Sequence, residues 1–164
     1  MYRSDSCIRL ADEHAQIHRE LEKRKKGEED KMKYILMMSG TKADFNTFAS
    51  WPKEALKAHV QFMRAFNQEL RNEGTFVDAE GLAFPHEAKI VRAGANGEVV
   101  TDGIFPETKE FLAGYWIVDV ETTEQAYSIA ARASMAPAPE GAFEGHIPIE
   151  VRQIMSEMPE ELLQ

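Results

Sequence analysis

Hydrophobic and polar positions alternate in two distinct rhythms along the chain. Residues 8–26 hold helix formers without Gly or Pro, and only Leu10, Ile17 and Leu21 recur on one face. A stripe this thin predicts a helix that rests on something else and builds no core of its own. Gly27 and the run Glu28-Glu29-Asp30 then read as a break and a solvated linker. At Met32 the pattern changes. Lys33–Met38 (KYILMM) is a nearly continuous apolar run, as expected of a strand buried on at least one face. Ser39–Ser50 reads as a polar loop, and Ser50-Trp51-Pro52 as an N-cap followed by a helix-starting proline. From Lys53 to Glu73 the period is helical, with Leu56, His59, Met63, Phe66 and Leu70 on one stripe, and Gly74 stands where a C′ glycine belongs.

Strand patterns follow. Thr75–Leu82 comes directly after the glycine, and Ala88–Ala93 and Glu98–Thr101 flank a Gly-Ala-Asn-Gly loop that suits a hairpin. Phe111–Val120 (FLAGYWIVDV) is rich in aromatic and β-branched residues and predicts a strand. Thr122 or Thr123 predicts the cap of a second helix running to about Arg132, burying Ala126, Ile129, Ala130 and Ala133. The prolines and glycines of 136–145 mark a loop, and 146–154 alternates as a half-buried strand does. From Met32 the order is thus β-α-β, an inserted β-hairpin, then β-α-β. That order predicts an α+β fold, a ferredoxin-like βαββαβ sandwich with both helices on one face of an antiparallel sheet. The other face then needs a cover, either a second copy of the sheet in a homodimer or the N-terminal helix. Three segments are expected: a charged helical extension at 1–31, the folded domain at 32–156 and a tail at 157–164.

Composition narrows the function classes. The chain has 164 residues, enough for one packed core. Eight basic and eight acidic residues balance within 1–31, so the whole net charge of −9 falls in 32–164. That excess argues against a broad grip on nucleic acid phosphates or anionic membranes. The N-terminus lacks the apolar stretch of a secretion signal and Cys7 is the single cysteine, so a reducing cytoplasm is the simplest expectation. Neither a phosphate-cradling Gly-rich loop nor a nucleophile elbow nor a paired-cysteine metal motif occurs, and no cofactor is implied.

One stretch is more specific. Val100-Thr101-Asp102-Gly103-Ile104-Phe105-Pro106-Glu107-Thr108-Lys109-Glu110, followed by Gly114-Tyr115-Trp116-Ile117-Val118-Asp119-Val120, resembles the YCII-related family. It is most similar to the branch named for an Asp-Gly-Pro-Phe motif. Met32-Lys33-Tyr34-Ile35-Leu36-Met37 matches that family's usual start, and Glu80-Gly81-Leu82 its run after the first helix. Ile104 stands where the name-giving proline belongs, and Pro106 lies two residues further on. The resemblance implies a ferredoxin-like fold that dimerises into an α+β barrel. It also implies a link to relatives in which a helix histidine and a strand aspartate are proposed as catalytic. A few members of the wider group act on chlorinated or lactone-type aromatic breakdown products. The branch often accompanies extracytoplasmic-function sigma factors, which implies a sensing or regulatory alternative without turnover.

Chemistry then rests on few residues. His59 shares the apolar stripe of its helix and is expected to face the sheet, where an imidazole beside a carboxylate serves as a general acid or base on a small molecule. Asp78 is the expected partner, on the strand that returns beside the helix, provided Phe76, Asp78 and Glu80 share one face. The competing reading is a structural histidine held by a backbone carbonyl. The loop 101–110 is a candidate lid, with Asp102 at a tight turn and Lys109 as the nearby cation for an anionic ligand; the alternative is a purely architectural connection. His14 and His18 at i, i+4, with Cys7 upstream, have metal-binding spacing but sit on a weakly anchored helix, so no metal site is assigned.

Overall fold

The computed structural model describes residues 31–102, 110–142 and 146–155. The predicted helix over 8–26, with Cys7, His14 and His18, lies outside the described residues, and so does the greater part of the 101–110 loop, including Lys109. A compact unit begins at Met32. Its order is β1 (Met32–Gly40), α1 (Lys42–Ala49), α2 (Lys53–Asn72), β2 (Phe76–Gly81), a short 3₁₀ turn (Pro85–Glu87), β3 (Ile90–Ala93), β4 (Val99–Asp102), β5 (Phe111–Val120), α3 (Thr123–Ser134) and β6 (Ile149–Gln153).

Four strands form one antiparallel sheet in the order β2-β5-β1-β6, and β3 and β4 pair separately as a hairpin. This is the ferredoxin-like α+β arrangement, with β1 and β5 in the middle. Strand alternation sends every second side chain to the helical face. Tyr34, Leu36 and Met38 from β1 meet Trp116, Val118 and Val120 from β5 there. Phe66 and Leu70 of α2 and Ala126, Ile129, Ala130 and Ala133 of α3 close over them. Leu36, Leu70 and Val118 are wholly buried. Each such side chain contributes roughly 1.5–3 kcal/mol on leaving water. The other face presents Ile35 opposite Ile117 and Met37 opposite Tyr115.

Local chemistry fixes the ends of these elements. Gly74 takes a left-handed φ of 70°, so its N–H reaches the Arg71 carbonyl and the Thr75 N–H reaches that of Leu70. This pair of hydrogen bonds is a Schellman stop, and it turns the chain straight into β2. Thr122 caps α3 by accepting from the Gln125 N–H at 3.2 Å. Glu73 and Arg132 join the ends of α2 and α3 through two bonds of 2.6 and 2.7 Å. The Arg132 bonds, against a small opposing desolvation, hold the Glu73 carboxyl below its usual range.

Two expectations are corrected. The segment 39–50, read as a loop, contains α1. Thr41 forms a capping box with Asp44: the Thr41 Oγ1 accepts from the Asp44 N–H, and the Asp44 carboxylate accepts from the Thr41 N–H. Ser50 consequently caps no following helix. It ends α1, its hydroxyl donating to the Thr47 carbonyl, and Pro52 precedes α2 without a side-chain cap.

Candidate functional site

Antiparallel pairing brings the C-terminal ends of β1 and β2 beside the N-terminal half of β5. On the helical face above these ends, α1 and the middle of α2 border a cavity of about 350 Å³. Its wall is largely aromatic: Phe45 and Phe48 from α1, Trp51 from the connection, Phe84 after β2 and Trp116 from β5. Met38, Met63 and Ile147 add aliphatic surface to the wall. Phe48 and Trp51 lie 4.8 Å apart, and Phe45 meets Phe84 edge-on at 6.3 Å. Such pairs add a geometric preference to the burial of their area.

His59 reaches this cavity from the second turn of α2. Only 8% of it is exposed, and the edges of Phe48 and Trp51 approach its ring at 5.8 and 5.5 Å. Its Nδ1 lies 2.9 Å from the Pro137 carbonyl oxygen in the loop after α3. A carbonyl only accepts, so Nδ1 carries the proton and, in the neutral ring, Nε2 presents a lone pair. Nε2 has no partner among the described residues. Two turns further along the same helix, the Asn67 Oδ1 accepts from the Trp116 Nε1 at 2.8 Å. With its oxygen occupied, Asn67 has its amide N–H donors left for the cavity.

The expected His59–Asp78 pair does not form. A bulge at Val77 shifts the register, so that Phe76 pairs with Val118 while Asp78 pairs with the adjacent Ile117. Phe76 therefore packs on the helical core, under the Arg71 guanidinium at 4.0 Å, and does not share a face with Asp78. Asp78 turns to the opposite side, where its carboxylate accepts from the Tyr115 hydroxyl at 3.1 Å. That bond first, then desolvation and the charges of Asp78 and Glu80, holds the Tyr115 hydroxyl above its usual range, so it remains a donor. Asp102 is also spent elsewhere, in an ion pair with Arg92 across the β3–β4 hairpin. Of the four site residues expected from sequence, only His59 reaches the cavity; Asp78 and Asp102 do not, and Lys109 lies outside the described residues. No group of three His, Cys, Asp or Glu side chains among the described residues is placed to hold a metal ion.

Sequence reasoning passed over Phe48, Trp51 and Asn67. Asn67 had a legible signal: it repeats the His59-Met63 spacing at i+8 of His59, on the face that meets the sheet.

Residues 32–152 match the model of the YCII-related domain, and the chain belongs to that family. An uncharacterised protein of Rhizobium meliloti is 27% identical over 101 residues, covering 62% of this chain and 82% of its own length. No helix among the described residues is long and apolar enough to cross a membrane.

Proposed function

We propose that the protein binds a small, ring-bearing organic molecule in the cavity beneath α1 and α2, with His59 Nε2 accepting a proton or hydrogen bond from it. The observation that carries this reading is a histidine with 8% exposure that lines a cavity of about 350 Å³ with only one ring nitrogen satisfied. Nε2 is not sealed from solvent, so a ligand hydroxyl or N–H meets there an acceptor whose ring the Pro137 carbonyl already orients. The volume lies at the small end of ligand pockets, and the mix of many apolar walls with few polar groups is the usual one.

Acid–base turnover is the second reading, favoured by the Pro137 carbonyl. By fixing the proton on Nδ1 it aims a basic Nε2 at whatever occupies the cavity. The carbonyl orients the ring but, unlike the carboxylate expected from sequence, supplies no second proton-transfer group, so binding is the first reading. The Asp-Gly-Pro-Phe branch and the link to a sigma-factor regulator are further parts of the proposal, supported by the motif at 100–110; a cytoplasmic setting is proposed from the single cysteine.

Both tryptophans of the chain, Trp51 and Trp116, line the cavity, so occupancy is read directly from their fluorescence. A panel of neutral phenols and lactones is screened by fluorescence and thermal shift against the full chain and His59→Ala. A ligand at about 100 times its Kd raises the melting temperature by about 5–10 °C for a domain of this size. The shift should disappear in His59→Ala for hits that quench the tryptophans. Equal shifts in both proteins for every hit would remove His59 from the site.

A further inference from the structure

The cavity has a polarity along its length that selects among ligands. We infer that its ligand is a neutral, elongated molecule with a hydrogen-bond donor at one end, an acceptor at the other and a flat apolar body between. This rests on the binding reading above and specifies the ligand class. His59 and Asn67 stand eight residues apart on one face of α2, which is a rise of about 12 Å. Met63 lies midway and also lines the cavity. His59 offers an acceptor, because its Nδ1 proton is committed to Pro137. Asn67 offers donors, because its oxygen is committed to Trp116. An aromatic ring carrying a hydroxyl and a carbonyl in para positions places those oxygens about 6 Å apart. With a hydrogen bond of about 3 Å at each end its reach is about 12 Å, the order of the rise between the two Cα positions, so it suits two polar side chains set two helical turns apart. An ortho arrangement reaches only one end.

Charge sets the second criterion. Neither Lys nor Arg lines the cavity among the described residues, Asp44 brings a carboxylate to its rim, and Glu80, paired with Tyr115, directs its own to the opposite face of the sheet. An anionic group placed among aromatic walls without a cation keeps its full desolvation cost. The site therefore favours an ester, amide or ketone over the matching carboxylate.

Isothermal titration calorimetry at neutral pH with three probes tests this: methyl para-hydroxybenzoate, para-hydroxybenzoate and methyl ortho-hydroxybenzoate. The neutral para ester should bind at least about tenfold more tightly than the anion and than the ortho isomer. The Asn67→Asp variant keeps an oxygen for Trp116 but replaces the amide donors by a carboxylate. It should weaken the para ester at least about fivefold, and its unaltered tryptophan emission and melting temperature would show that the fold is intact. Similar affinities for all three probes, or a preference for the anion, overturn this inference and leave the binding reading standing. Binding of the para ester that is indifferent to Asn67→Asp does the same. No binding of any probe overturns both.

Discussion

Replacing Gly114 by alanine tests how tightly β2 and β5 are held together at the cavity floor. A Cβ built at Gly114 would lie 2.8 Å from the Glu80 carbonyl oxygen and 3.3 Å from the Gly81 Cα, both of them backbone atoms. Backbone on a paired strand cannot turn aside as a side chain can, so the end of β2 must move. The neighbouring bond from the Leu82 N–H to the Ala113 carbonyl, 2.8 Å long, would stretch with it. Overpacking of this kind costs about 1–3 kcal/mol. Losing the glycine's freedom in the unfolded chain returns about 0.4–1 kcal/mol. The net loss is then about 1–2 kcal/mol, a fall in the urea midpoint of about 0.75 M for an m-value near 2 kcal/mol/M. Gly94 supplies the control. A Cβ there runs still closer, but into the carboxylate end of Glu98, an exposed side chain at the tip of the β3–β4 hairpin. The Glu98 chain swings away at the cost of one exposed bond to the Asn96 N–H, so Gly94→Ala should change stability by less than about 0.5 kcal/mol. Urea denaturation followed by tryptophan fluorescence reports both. A Gly94→Ala loss equal to or larger than that of Gly114→Ala would refute the premise that rigidity of the neighbour, and not proximity alone, sets the cost.

Two further outcomes follow from contacts that hold the helices. Glu73→Gln should destabilise the chain at neutral pH by at most about 1 kcal/mol, because both Glu73 and Arg132 are well exposed. Glu73 has its folded pKa depressed, so its contribution is present above the ordinary carboxylate range and is lost as the pH falls through the folded value. Denaturation curves of the two proteins should therefore differ at neutral pH and converge at about pH 2; a constant gap would show another cause. Thr41→Ala removes the side-chain half of the α1 capping box and should cost about 1 kcal/mol, confined to α1. Amide hydrogen exchange should quicken in 42–49 and stay unchanged in β1 and β5, while equal quickening throughout would contradict a local cap.

Most of the scaffold was legible because its signals act over short distances. Phe111–Val120 is a strand with the predicted ends, and α3 carries the predicted cap and all four predicted buried residues. The Gly74 stop holds for the same reason: a left-handed residue there is a local requirement. α1 escaped because eight residues with Asp, Asn and Thr among them have weak intrinsic preference, and none of the eight is buried. Its cap used Asp44 in the place usually taken by Glu or Gln. The site was harder to read. Strand alternation assigns faces only while the register is regular, and one extra residue at Val77 sent Asp78 to the far side. The partner that His59 does have, a carbonyl 78 residues away, has no side-chain signature at all.

The shortness of α1 has a kinetic consequence. It covers the cavity with Phe45 and Phe48 yet buries no residue completely, so unwinding its two turns exposes little apolar surface. Such an excursion costs far less than melting the sheet, and it recurs many times within one lifetime of the folded state. A ligand of the proposed kind would pass in and out by way of this small lid, while the strands beneath kept their shape.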